Sequence, residues 1–297
     1  MDNFISSILD ERIAGDTSNQ AREPKQRARS IASLALETYN NDFRGTTASE
    51  GRMDPEFRRY AIDQLKTFFF AGHDTSSTTI CYIFYLLKKN PLVLDEVCKE
   101  HDAVFGKNAS AAAELIRQDP YILNRLEYSL AVIKETLRIF PVASSVREGE
   151  PNLHIFDPGT GRSYPTEGCM IWMLVPAIQH HPNLWSDPEI FRPDRFLGLN
   201  AASLPKDAYR PFEKGPRSCI GQELAYLEIK VAMALCLRTF QITTAYEEVD
   251  KLNGDGLGWG KDMGKGKLGT MGEDAYQILR ATAKPRQGMP CRVSYRA

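Results

Sequence analysis

The sequence has almost no net charge: 37 basic against 38 acidic side chains leave -1 over 297 residues. That balance removes the electrostatic argument for nucleic acid or an anionic membrane surface as partner. The six cysteines, at 81, 98, 169, 219, 236 and 291, include no Cys-x-x-Cys pair and no even short spacing. Their scatter suggests neither a disulfide framework nor a zinc site, and reduced thiols facing a cytosol are the simpler expectation. A long uninterrupted apolar run is missing too. The most apolar stretch, Leu65 to Leu87, is broken by Lys66, His73, Asp74 and several hydroxyls. Charges there are expensive in lipid, so a buried helix is expected and no membrane span. Residues 1–16 lack the basic region and apolar core of a signal peptide.

What is present is ordinary globular composition, 42% hydrophobic and 25% charged, in a chain long enough for one large or two modest domains. Phe4, Ile5, Ile8, Leu9 and Ile13 fall at helical spacing and predict a short amphipathic helix. A polar linker and a second helix around Ile31, Leu34 and Leu36 follow, then a loop from Asn40 to Arg52. Asp54-Pro55 is a strong helix start, an N-cap followed by proline at the first helical position. Only Gly72 interrupts the pattern before Asn90-Pro91, which predicts one helix of about thirty residues, roughly 50 Å long. Apolar residues around Phe68, Phe69 and Phe70 place it in the protein's middle.

Asn90-Pro91 is read as capping a further helix that ends near Gly106, and Leu123 to Ile139 as a helix stopped by Pro141. Between 142 and 175 short strands with turn chemistry take over: Asp157-Pro158-Gly159 and Thr160-Gly161 lie between Leu153–Phe156 and Cys169–Trp172. Leu224, Leu227, Val231 and Leu235 mark a last helix, followed by a Gly/Lys-rich loop from about Lys251 to Gly272 and a terminal hairpin. The fold class is mainly α with small β portions (α+β).

Directly before that last helix stands Phe212-x-x-Gly215-x-Arg217-x-Cys219-x-Gly221. Glycine and proline allow a tight loop, and a thiol at a helix start meets unpaired amides and the positive dipole end, both favouring the thiolate. A cysteine alone is most often a buried core residue; five fixed positions in ten residues are far more specific. Here the sequence resembles the cytochrome P450 family, whose cysteine-ligand loop has this pattern. The resemblance implies haem b (iron protoporphyrin IX) as cofactor, with Cys219 as the axial ligand of its iron and Phe212 beside it.

Three further segments carry the same resemblance. Glu135 and Arg138, at i and i+3, share a helix face. In the family this pair is joined by an arginine from a Pro-x-Arg-Phe segment, here Pro193-Asp194-Arg195-Phe196. The resemblance makes Glu135, Arg138 and Arg195 a structural cluster under the cysteine loop. Ala71-Gly72-His73-Asp74-Thr75-Ser76, alone readable as a small-residue packing seam, matches the segment that crosses the haem. Asp74 and Thr75 thereby inherit delivery of protons to dioxygen at the haem, and Gly72 the room for it. Arg147 and Arg217 match positions that hold the haem propionates, a role a guanidinium suits.

The resemblance covers nearly the whole chain, read as a single P450 domain, residues 1–297, without the N-terminal part of the family fold. It implies a monooxygenase that takes dioxygen, two electrons from NADPH–cytochrome P450 reductase and a small lipophilic substrate, in the style of fungal secondary metabolism, with no nucleic-acid partner. A haem-thiolate isomerase or dehydratase, and a non-catalytic haem-binding remnant, are the alternatives; the presence of Asp74 and Thr75 counts against the first. A full-length relative is expected at the cytosolic face of the endoplasmic reticulum, whereas a chain without an anchor is expected in the cytoplasm. Gly264–Gly269 matches a dinucleotide fingerprint, but the βαβ context is absent and it reads as a basic loop. His180-His181 lacks partners at ligand spacing and is not read as a metal site.

Overall fold

The computed structural model describes residues 4–11, 54–252 and 274–296. The helix expected around 31–36, the loop 40–52 and most of the Gly/Lys-rich segment lie outside those residues. The chain divides into two compact units, Met1–His73 and Asp74–Ala297.

In the first unit, helix α1 (residues 4–11) turns Ile5 and Leu9, one turn apart, onto Leu65 with Phe57 and Ile62 alongside. Arg58 holds α1 through a two-pronged ion pair with Asp10, at 2.6 and 2.8 Å. Helix α2 (Pro55–Lys89) opens where the sequence indicated. The Asp54 carboxylate accepts the amides of Glu56 and Phe57 at 3.0 and 2.9 Å, satisfying donors that the first turn cannot use internally.

Phe68, Phe69 and Phe70 correct an expectation: they are 37, 52 and 59% exposed. Successive helical residues point about 100° apart, so one packing surface cannot cover all three. Asn90-Pro91 opens the following helix α3 (Pro91–Phe105) as expected, with Asn90 at the N-cap position but no side-chain cap bond; its side-chain amide donates backward to the Leu86 carbonyl at 2.8 Å and closes α2. Gly106, with φ +78°, ends α3 as expected.

In the second unit come α4 (Ala112–Gln118), a 3-10 turn over Pro120–Arg125, and α5 (Glu127–Ile139). The single helix read from Leu123 is thus split at Leu126. The core packs the C-terminal part of α2 (Tyr82, Ile83, Leu87) against α5 (Val132, Ile133, Leu137) and Ile229 and Met233 further along. Each such buried side chain contributes roughly 1.5–3 kcal/mol. The Tyr82 and Phe140 rings stack with centroids 4.1 Å apart.

Strands are short and paired in twos. β1 (Val146–Glu148) runs antiparallel to β4 (Met170–Trp172), and β2 (His154–Asp157) to β3 (Arg162–Pro165). The Asp157–Gly161 turn therefore joins β2 to β3, while the 170–172 strand reaches back to β1. Helix α6 (Val175–Gln179), a 3-10 turn at Pro193–Phe196, α7 (Gly198–Ala202) and α8 (Gln222–Cys236) follow. After β5 (Phe240–Thr244) and α9 (Tyr246–Leu252), a tight hairpin joins β6 (Gln277–Arg280) to β7 (Thr282–Pro285). The last strand, β8 (Cys291–Tyr295), pairs with β5. Among the described residues, no helix is long and apolar enough to cross a membrane.

Candidate active site

The loop before α8 is shaped by its own backbone. Glu213 and Gly215 adopt left-handed φ of +58° and +72°, and the Cys219 amide donates to the Phe212 carbonyl at 2.8 Å. This folds residues 212–219 into a closed bend that delivers Cys219 two residues before the helix N-cap, Gly221. The Cys219 side chain is exposed. Beside it in sequence Ile220 is 89% exposed, and Leu224 a turn on is exposed as well. Phe212 packs edge-on against Tyr226 at 5.1 Å, a ring whose hydroxyl burial pushes up to about 12.

An acidic hub fastens this bend. Glu213 accepts from Arg210 Nε at 3.0 Å and from the Ser145 hydroxyl, and lies 3.8 Å from Arg147. Burial alone would raise the Glu213 carboxyl; the Ser145 hydroxyl and Arg210 overcome it and hold the group below the usual range. Arg147, 38% exposed, keeps most of its donors outside this contact, and Arg217 is exposed.

Below the bend, Glu135 and Arg138 form a bidentate pair at 2.8 and 2.8 Å, both 0% exposed. Arg195 reaches Glu135 at 3.2 Å, and the Arg192 amide donates to the same oxygen at 3.0 Å. Spare guanidinium donors go to the carbonyls of Gln179 and Ile190 from Arg138, and of Ser186 and Asp187 from Arg195. Burial pushes the Arg195 guanidinium below its ordinary value, with Glu135 opposing. The indole of Trp185 lies under Arg138 at 5.3 Å.

Gln179, which sequence reasoning missed, connects this cluster to the bend. Fully buried, it donates to the carbonyls of Leu137 and Arg138 at 2.9 and 3.0 Å and accepts the Arg210 amide at 2.9 Å. Its only sequence signal is a lone amide ending Val-Pro-Ala-Ile-Gln.

On α2, Asp74 pairs with Lys284 at 2.5 Å and accepts the Thr282 hydroxyl; neither partner was singled out from the sequence. The Thr75 carbonyl accepts the Thr79 hydroxyl at 2.8 Å, the back-bonding that bends helices locally. A Cβ at Gly72 would meet nothing within 4 Å. The structure thus joins Glu135, Arg138 and Arg195, and brings Arg147 to the cysteine bend through Glu213. It brings Asp74 to Thr282 and Lys284 of β7.

The cytochrome P450 family profile matches residues 16–266. The chain belongs to the cytochrome P450 family. It is 38% identical over 98% of its length to cytochrome P450 monooxygenase acrF of Aspergillus aculeatus, covering 59% of that protein. It is 37% identical over 99% of its length to cytochrome P450 monooxygenase polC of Polytolypa hystricis, covering 50%. This P450 chain therefore spans about half the length of the curated relatives it matches. The crystal structure of the cytochrome P450DA heme domain superposes with a TM-score of 0.63 at 22% identity, over 98% of this chain and 53% of that one, a likeness in fold. P450 enzymes bind haem b. The residues present fit that group: an accessible thiol on a backbone-fixed bend, exposed Ile220 and Leu224 for an apolar ring face, and Arg147 and Arg217 for its carboxylates.

Proposed function

We propose that the chain forms the haem-binding, oxygen-activating part of a monooxygenase that inserts one oxygen atom of dioxygen into a small lipophilic substrate. The exposed thiol of Cys219 on its hydrogen-bonded bend is the observation that carries this reading. Haem, when held there, supplies reductive activation of dioxygen, which thiolate ligation favours. The chain's own residues bind and position. Cys219 donates the thiolate, Phe212 packs beside it, and Arg147 and Arg217 bind the propionates. Asp74 and Thr75 hold and move protons on the substrate side, and Gly72 leaves space there. Glu135, Arg138 and Arg195 keep the bend rigid without touching any reactant. NADPH–cytochrome P450 reductase is the electron donor this reading calls for, at the cytosolic face of the endoplasmic reticulum, and fungal secondary metabolism is the setting proposed with it, two of its relatives being P450 monooxygenases of fungi.

The test is a spectrum. The chain is expressed with haem supply, reduced and exposed to carbon monoxide; a thiolate-type Soret band is expected. In Cys219→Ala that band disappears while the circular dichroism is retained. No haem uptake by the native chain, or an unchanged band in Cys219→Ala, overturns the reading.

A further inference from the structure

Asp74 is held by a hairpin more than 200 residues away in sequence. Thr282 and Lys284 stand two apart on β7, so their side chains leave the same face of the strand. Thr282 takes one oxygen of the carboxylate and Lys284 the other. The hairpin's place does not depend on Asp74. The intervening residue, Ala283, donates its amide to the Val142 carbonyl at 2.9 Å. Gln277 donates its side-chain amide to the Pro141 carbonyl at 3.0 Å, and Tyr82, two turns beyond Asp74 on α2, donates to the Ala275 carbonyl at 3.0 Å. Register is set by Arg280 opposite Thr282 and Ile278 opposite Lys284, with only Ala281 between the strands, at φ +66°.

We propose that Lys284 and Thr282 are positioning residues for Asp74: the backbone-anchored hairpin holds the carboxylate in one orientation, and that orientation sets the efficiency of proton delivery. The proposal rests on the reading of Asp74 as a proton-handling group. One anchored strand supplies both contacts, the short Thr282 side chain on one oxygen and the Lys284 ammonium on the other, and two points of attachment orient the carboxylate where one flexible lysine would not. The Asp74 side chain is 17% exposed and that of Lys284 36%, so the pair is only partly screened by water and a charge-assisted bond retains its strength there. Lys284 acts by orienting the carboxylate through their 2.5 Å ion pair.

Two measurements test this. The first needs no haem: acylation of lysine amines by an N-hydroxysuccinimide acetate, read by mass spectrometry peptide by peptide. Lys284 is expected to label several-fold faster in Asp74→Asn than in the native chain, with Lys107 unchanged as reference. Equal labelling of Lys284 in both overturns the proposal. The second uses the haem-loaded chain with its reductase and compares electrons consumed with product formed. Lys284→Met is expected to lower that yield several-fold, Lys284→Arg to restore most of it, and Thr282→Val to fall between. Adding Lys284→Met to Asp74→Asn should cost nothing further, because both act through one carboxylate. Full yield in Lys284→Met beside a poor yield in Asp74→Asn overturns the positioning role and leaves the proton reading standing. Full yield in Asp74→Asn removes the proton reading itself and this proposal with it. If the chain takes up no haem, the proposed function fails, and the labelling result alone decides whether Lys284 holds Asp74.

Discussion

Replacing Glu135 by alanine strands two guanidiniums in the core. Glu135 accepts four hydrogen bonds: two from Arg138, one from Arg195 and one from the Arg192 amide. Arg138 is fully buried and Arg195 5% exposed, so water cannot replace the lost carboxylate. The carbonyls of Gln179, Ile190, Ser186 and Asp187 still accept from the two arginines; they satisfy donors but neutralise no charge. Breaking a buried pair in this way costs about 3–5 kcal/mol, a large fraction of the 5–15 kcal/mol that holds a typical domain together. Glu114 makes a same-spaced pair with Arg117 at 2.6 Å, but with side chains 58 and 73% exposed. Glu114→Ala should therefore cost less than about 1 kcal/mol. Urea unfolding followed by circular dichroism measures both. Glu135→Gln separates charge from volume: it keeps the shape, removes the charge and turns an amide NH2 toward a guanidinium, so its cost should approach that of alanine. A Glu135→Ala loss below about 1 kcal/mol, or native stability in Glu135→Gln, would refute the reasoning.

Stability should fall in acid because of His101. The ring is fully buried, with Nε2 2.9 Å from the Ser129 hydroxyl; burial first, and the Arg238 charge second, push it down from 6.5 to about 4. The unfolded chain binds this proton below about 6.5 and the folded chain only near 4, so stability declines across that window by about 3 kcal/mol. This group leaves it level above and below. Unfolding midpoints at pH 7 and 4.5 should show the decline and His101→Gln should lessen it; identical slopes in both count against the assignment. At Gly149 a Cβ would lie 1.7 Å from the Thr166 carbonyl oxygen. Gly149→Ala should thus cost about 3 kcal/mol through forced backbone movement, read as a lowered melting temperature, and an unchanged one would show that the β1–β4 corner yields freely.

How far sequence carried depended on the range of each interaction. Asp54, which opens α2, and Gly106, which closes α3, were legible because a cap is decided within one turn. Asn90 was rightly placed at the start of α3, but its amide can serve either the helix behind or the one ahead, and only geometry shows that Leu86 receives it. Spacing put Glu135 and Arg138 on one helix face, and the family resemblance joined Arg195 to them, so the charged cluster was legible in the sequence. The links that tie the bend to the rest were not, since Gln179 meets Arg210 31 residues away and Ser145 meets Glu213 68 residues away. Phe68, Phe69 and Phe70 show the converse error: hydrophobicity read as burial, where three adjacent helical positions cannot share one face.

The link between Asp74 and Thr282 also bears on the order in which the protein is made. Its two ends are separated by 208 positions. At about 5–20 residues per second, the ribosome delivers Thr282 about 10–40 s after Asp74. Throughout that interval α2 must stand on its own backbone hydrogen bonds and whatever early neighbours it finds. The acid acquires its lysine only once residue 284 has been made, so a ribosome that stalls before residue 282 leaves a nascent chain with its helix formed and its carboxylate still waiting for the strand.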